Sequence, residues 1–365
     1  MTALASHVKG LIRADGPIPV AEFMRIVLTG RSDSYYMRGA AFGAAGDFVT
    51  APEISQIFGE LIGLWCVDVW RQLGSPHRFS LVELGPGRGT LMKDALRAAR
   101  VAPRFLSAAA VTFVEVSPVL RRLQEAALHE APVASVRWLD RFDDLDTGDG
   151  PLIVVANEFF DALPIRQFVR VGGEWAERCV GLDRSGELVF GAAPDGINPE
   201  LIPGSVRRAA NGSIYELAPA RSILARDIGE RLQNASGAAL IIDYGFSGPA
   251  LGDTLQAVKR HAYADVLAEP GAADVTSHVD FAALAQALSD GGASVGALAD
   301  QGDFLKRLGA FERIQILKQT ASAAQAEQLE RAYQRLTAPE AMGSLFKALC
   351  AFAPATLSPA GFSNA

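Results

Sequence analysis

Three glycines at alternate positions stand in Glu83-Leu84-Gly85-Pro86-Gly87-Arg88-Gly89-Thr90. A backbone bare of side chains lets a cofactor come close just where a helix opens and its first N–H groups lack partners. The G-x-G-x-x-G dinucleotide fingerprint is not met, because its third glycine position is Thr90. Glu115 follows Glu83 by 32 residues (115 − 83), where a βαβ unit delivers a carboxylate to ribose hydroxyls. Nicotinamide enzymes place an acid at the same point, and strand-end acids are often merely solvated, so these residues alone leave the cofactor open. A second group is Asn157-Glu158-Phe159-Phe160-Asp161-Ala162-Leu163-Pro164. Two acids interleaved with two phenylalanines suit a cationic group held between carboxylates and aromatic faces. The same residues also read as a helix start, with Asn157 as cap and the acids complementing the helix dipole. If the loop opens a helix, Glu158 and Asp161 occupy neighbouring positions of one turn.

These residues need strands to carry them. Strands are expected at Ser80–Leu84, Val111–Glu115, Ser135–Trp138, Leu152–Ala156 and Ala238–Asp243, with helices between them at Thr90–Ala99, after Ser117-Pro118, and at Ala220–Gln233. Alternation of this kind implies α/β architecture with a doubly wound parallel sheet, whose ligands bind beyond the carboxyl ends of the strands. Gln167–Val171 and Glu174–Val180 flank Gly172-Gly173 and read as an inserted β-hairpin. Residues 1–75 read as a helical extension and lid, with apolar stripes over Val20–Leu28 and from Ile54 to Val69. Thr50-Ala51-Pro52-Glu53 has the capping-box pattern. The core is expected over 76–365, with an insertion at about 165–215, a loop-rich stretch after Phe246, and helices at Val279–Leu288, Ala323–Leu336 and Glu340–Leu349. One compact domain is expected.

Composition narrows the classes. With 49% hydrophobic and 21% charged residues, the chain can bury a core. A net charge of −7, from 34 basic and 41 acidic side chains, provides no field to collect nucleic acid. Three cysteines, Cys66, Cys179 and Cys350, lie far apart without metal-ligand spacing, so neither a disulfide framework nor a metal site is expected. No apolar run is long enough to span a bilayer and no secretory leader is evident, so a cytoplasmic location without membrane insertion is expected.

The glycine block resembles the first motif of class I methyltransferases, E/D-x-G-x-G-x-G. Together with Gly46 to Ser55, Val114-Glu115-Val116-Ser117, Asn157 to Pro164, Ile242-Asp243-Tyr244-Gly245 and Gly271 to Thr276, it resembles the signature blocks of the MidA-like family. The similarity runs from about Pro17 to Phe352. It implies a class I methyltransferase fold with S-adenosylmethionine as cofactor, contacted by Glu83, Gly85, Pro86, Gly87, Gly89, Glu115 and Asn157. From the mitochondrial complex I assembly factor of that family it further implies a protein arginine acceptor, with a complex I subunit as the partner. Guanidinium is protonated at physiological pH, so carboxylates must align it, and Glu158 and Asp161 are the catalytic candidates. A small-molecule N- or O-methyltransferase and a non-catalytic assembly protein on the same fold remain alternatives. Asn157 stands where the mitochondrial members often have His, which limits what its side chain can be assigned. The segment after Trp138 matches poorly, so no adenine contact is carried onto Asp140. Asp243 is as well explained by a turn as by the crevice, Asp47 by a loop acid or a lid contact, and His278 by a helix start.

Overall fold

The computed structural model describes residues 2–38, 49–146, 148 and 150–362. Asp47 and residues 46–48 of the N-terminal signature block lie outside the described residues. Among the described residues, the largest sheet has nine strands. Seven of them form its main path: β1 (Phe79–Leu84), β2 (Ala109–Val114), β3 (Ser135–Leu139), β4 (Leu152–Asn157), β5 (Gly237–Phe246), β6 (Ser294–Val295) and β7 (Phe346–Ala353). Their spatial order is 3-2-1-4-5-7-6. β1 to β5 pair in parallel, while β7 runs antiparallel to both β5 and β6. β1 and β4 are buried along their whole length, which is why they read as continuous apolar runs and why both faces must be covered.

The helix expected over Glu340–Leu349 is not formed. Pro339–Gly343 is a single π turn, and β7 follows it. Phe346, Ala348 and Cys350 of β7 are buried in the core on one side of the sheet and Leu349, Ala351 and Ala353 in the core on the other, so its apolar residues show no two-residue alternation and mimic a buried helix.

One face of the sheet carries α4 (Gln56–Gln72) and α5 (Thr90–Ala98), the helices numbered in chain order after α1 (Ala3–Asp15), α2 (Val20–Leu28) and α3 (Ala51–Ile54). Gly59 and Gly63 of α4 let α5 approach closely, since a Cβ on Gly63 would lie 2.4 Å from Ala95 O. The opposite face is covered by the helices Pro219–Ala235 and Phe281–Asp290. The capping box expected at Thr50–Glu53 does not form: α3 ends after one turn, Ser55 caps α4 by accepting from Ile57 N, and Glu53 Oε1 accepts from Thr90 Oγ1 at 2.5 Å.

The hairpin across Gly172-Gly173 belongs to a larger antiparallel sheet of five strands. Ile18–Pro19 pairs with Glu174–Leu182, and α1 and α2 pack their apolar faces on this sheet through Leu4, Val8, Phe23 and Met24. The stretch after Phe246 is not merely loop. Gln256–Lys259, Ala262–Ala264 and Asp274–Thr276 form a three-stranded antiparallel sheet. No helix among the described residues is long and apolar enough to cross a membrane.

Candidate active site

Strand order reverses between β1 and β4, and the loops leaving their carboxyl ends meet there around a cavity of about 550 Å³. Gly85, Gly87 and Gly89 all adopt the left-handed conformation, with φ of 60°, 53° and 80°. A Cβ on Gly85 would also lie 2.6 Å from the Phe159 ring, so glycine there is required twice over. Gly85 N donates to Val114 O, which fastens the loop to β2. Gln124, fully buried, donates through Nε2 to Gly87 O at 2.7 Å and to Glu115 Oε2 at 3.2 Å, tying the glycine loop to the acid. The sequence reading missed Gln124, whose place three residues beyond Arg121 on an amphipathic helix carries no chemical signal.

Glu83, Gly85, Pro86, Gly87, Glu115, Asn157 and Glu158 line the cavity. Gly89 and Asp161 are not in its lining; Gly89 instead precedes the first turn of α5. Asp140 does line it, paired with Arg121, and Val116, Leu120 and Phe142 supply apolar surface beside Glu115 that suits a purine. From the N-terminal elements come Leu28, Thr29, Tyr36 and Glu53, a contribution that no local pattern announces.

The Asn157–Pro164 segment opens no helix, so Asn157 caps none and the two acids do not share a helical turn. Glu158 sits at φ 49°, a left-handed conformation incompatible with helix continuation, and its N–H donates to Ile242 O. Asp243 Oδ2 accepts from Phe159 N and Asp161 N, the very groups a helix would have used. Glu158 Oε1 accepts from Ala51 N at 2.9 Å and from Asn157 Nδ2 at 3.2 Å, leaving Oε2 for a ligand. Asp161 turns away into a buried polar cluster with Tyr244 and Arg221.

Burial dominates the electrostatics. It pushes the Glu83 carboxyl up to about 8 and the Glu158 carboxyl up to about 8, the latter against the opposing Ala51 N–H. Burial likewise raises Asp161 to about 6. Glu83 Oε2 and Asn157 Oδ1 are buried acceptors without a hydrogen-bond partner among the described residues, and both residues line the cavity. Such orphaned acceptors are costly unless a donor arrives. Six acidic residues line the cavity against two basic ones, Arg88 and Arg141. That balance suits a cofactor bearing ammonium and sulfonium charges and opposes a pyrophosphate.

The comparisons with known proteins agree with this geometry. Residues 61–297 match the family model of S-adenosyl-L-methionine-dependent methyltransferases. The chain belongs to this family. The mitochondrial protein arginine methyltransferase NDUFAF7 homolog of Drosophila melanogaster is 38% identical, across 96% of this chain and 85% of the relative. The human mitochondrial protein arginine methyltransferase NDUFAF7 is 34% identical across 95% of this chain and 82% of its own length. A Burkholderia thailandensis protein crystallised with S-adenosylhomocysteine superposes with a TM-score of 0.82 at 27% identity, covering 100% of this chain and 93% of that one. The fold is thus the class I methyltransferase fold expected from the alternating elements, and S-adenosylmethionine is the cofactor. Among the described residues no group of three His, Cys, Asp or Glu side chains is placed to hold a metal.

Proposed function

We propose that this methyltransferase acts on an arginine side chain of a protein substrate. The observation that carries the proposal is Glu158, a carboxylate at the cavity wall with one oxygen already held and the other left for a cation. Support comes from the relatives, which are named protein arginine methyltransferases over nearly the whole chain length. The complex I subunit implied by the family resemblance is the first candidate acceptor.

When bound, S-adenosylmethionine supplies an electrophilic methyl group whose C–S bond breaks as the acceptor nitrogen attacks, leaving neutral S-adenosylhomocysteine. Gly85 and Gly87 would seat it against bare backbone, Glu115 would accept from its ribose, and Glu83 and Asn157 would offer their unpaired oxygens to its ammonium. Glu158 Oε2 would accept an N–H of the guanidinium, orient the attacking nitrogen, and stabilise the methylated cation, while the proton displaced from that nitrogen passes to solvent. Phe159, which also lines the cavity, would offer its ring face to the same cation. Asp161, our other acid candidate, lies behind the loop and would act on the acceptor only through that loop. α3, whose Ala51 N–H meets Glu158 and whose Glu53 meets Thr90, would serve as the lid that joins cofactor and acceptor sides. We place the enzyme in the cytoplasm of its source cell, a proposal that cell fractionation tests.

The proposal is tested by offering arginine, lysine and histidine peptides with methyl-labelled cofactor and locating the label by mass spectrometry. Label on arginine alone supports it. Label on a small molecule from lysate but on no peptide would move the enzyme to the small-molecule class.

A further inference from the structure

Behind the loop that carries Glu158 lies a buried ionic cluster that the chemistry above does not use. Asp243, fully buried near the end of β5, accepts from Phe159 N at 3.2 Å and Asp161 N at 3.1 Å through Oδ2, and from Tyr244 N at 2.9 Å through Oδ1. Arg221, also buried, grips the other side of the same loop. Its Nη2 donates to Asp161 O at 3.0 Å, Leu163 O at 3.4 Å, Ser277 O at 3.2 Å and Ser277 Oγ at 2.6 Å, while Nη1 donates to His278 O at 2.6 Å. Burial disfavours the charge on Arg221, and the neighbouring Asp243, Asp161 and Glu216 act against that burial to favour it.

A buried ion cluster is a poor device for stability alone, because desolvating the charges offsets most of what their attraction returns. Its directional hydrogen bonds do hold a loop in one shape. The loop here needs holding, since Glu158 occupies a left-handed conformation that an L side chain keeps only when its surroundings overdetermine it. Asp243 fixes the N–H groups on the residues just after Glu158, and Arg221 fixes the carbonyls that follow.

We infer that Asp243 and Arg221 are positioning residues for methyl transfer, clamping the Asn157–Pro164 loop from two sides so that the Glu158 carboxylate meets the acceptor. The inference rests on the acceptor role proposed for Glu158. It assigns a task in turnover to the Ile242-Asp243-Tyr244-Gly245 block, and it makes Ser277 the support of the clamp.

The test is a double-mutant cycle on the full-length enzyme with an arginine peptide. Asp243→Asn turns an N–H toward backbone donors, and Arg221→Lys keeps the charge but loses the fork. Ser277→Ala is the gentle third variant, which removes one hydroxyl and retains the fold. Misplacement of an aligned group by about 1 Å costs about 100-fold, so the first two should lower kcat by about that factor and Ser277→Ala by about 3- to 10-fold. Cofactor affinity by calorimetry should stay within about threefold of the parent in Ser277→Ala, because that hydroxyl lies outside the cavity lining. The deciding readout is the Glu158→Gln background. Acting through Glu158, each substitution should there lose most of its effect on kcat. Should the effects multiply in full instead, or should Ser277→Ala turn over at the parental rate, the positioning role is overturned even if Asp243→Asn fails to fold. If Glu158→Gln alone is fully active, the acceptor reading beneath falls first, and the cycle shows which of the two has failed.

Discussion

Burial raises the Glu158 carboxyl to about 8, and this places its ionisation within reach of a rate measurement. A carboxyl with that value is about 9% ionised at pH 7 and about 91% at pH 9, so kcat/KM for an arginine acceptor should rise about tenfold between them. The sign follows from the role. Only the ionised form accepts a guanidinium N–H, so activity is gained as pH rises through the folded value. Saturating cofactor brings a sulfonium charge nearby, which favours the carboxylate and moves the rise to or below pH 8. Glu158→Gln retains an oxygen able to accept from Ala51 N, so the contact with α3 survives, while the charge is lost. An aligned, charge-assisted contact in the transition state is worth about 2–4 kcal/mol, or about 30- to 1000-fold in rate. The deficit of the variant should therefore be largest at pH 9 and about tenfold smaller at pH 7, where the parent is itself mostly protonated. Initial rates from pH 6 to 9.5 with labelled cofactor, alongside calorimetric cofactor affinity for each protein, provide the assay. The reasoning is refuted if Glu158→Gln shows the same pH limb as the parent, or if its loss of rate is matched by loss of cofactor binding.

Gly85→Ala places a Cβ 2.6 Å from the Phe159 ring at a φ of 60°, so cofactor affinity by calorimetry should fall at least about tenfold, with stability reduced by about 1–2 kcal/mol. Unchanged affinity would remove the glycine loop from the site. Glu83, raised to about 8 by burial, binds its proton more tightly folded than unfolded, so stability should decline as pH rises from about 4.5 to 8. Glu83→Gln should flatten that decline in thermal midpoints, by an amount on the order of a few kcal/mol across the window. Gly63→Ala, whose Cβ would lie 2.4 Å from Ala95 O, should cost about 1–3 kcal/mol in chemical denaturation as α4 is pushed off α5. A neutral result would mean that this helix pair separates at little cost.

The parts of the molecule legible in the sequence are those fixed by neighbours along the chain. Four of the five parallel strands announce themselves through buried runs ended by turn residues, β3 being partly exposed, and the glycine loop through a spacing that only a close backbone approach explains. Each misreading has a distant cause. β7 was indistinguishable from a helix because the core clusters on opposite sides of the sheet bury both of its faces. The capping pattern at Thr50 failed because Glu53 finds Thr90, 37 residues away. The acceptor loop declined to be a helix because Asp243, 82 residues beyond Asp161, takes its N–H groups. Local preference was overridden in each case by a partner that periodicity cannot reveal.

The acid pair shows what that override does for function. As a helix start, Glu158 and Asp161 would have presented two carboxylates to the same side at equal cost. The loop instead divides them, one at the cavity wall and one in the cluster with Arg221. The division lets the second carboxylate help neutralise the guanidinium that holds the loop, while the first keeps an oxygen for the substrate. It also explains why two similar acids should respond differently to substitution. Removing charge at Glu158 touches the acceptor directly, whereas Asp161→Asn acts on the loop's anchorage. The first change should therefore appear in the pH limb of turnover, and the second in turnover and thermal stability together.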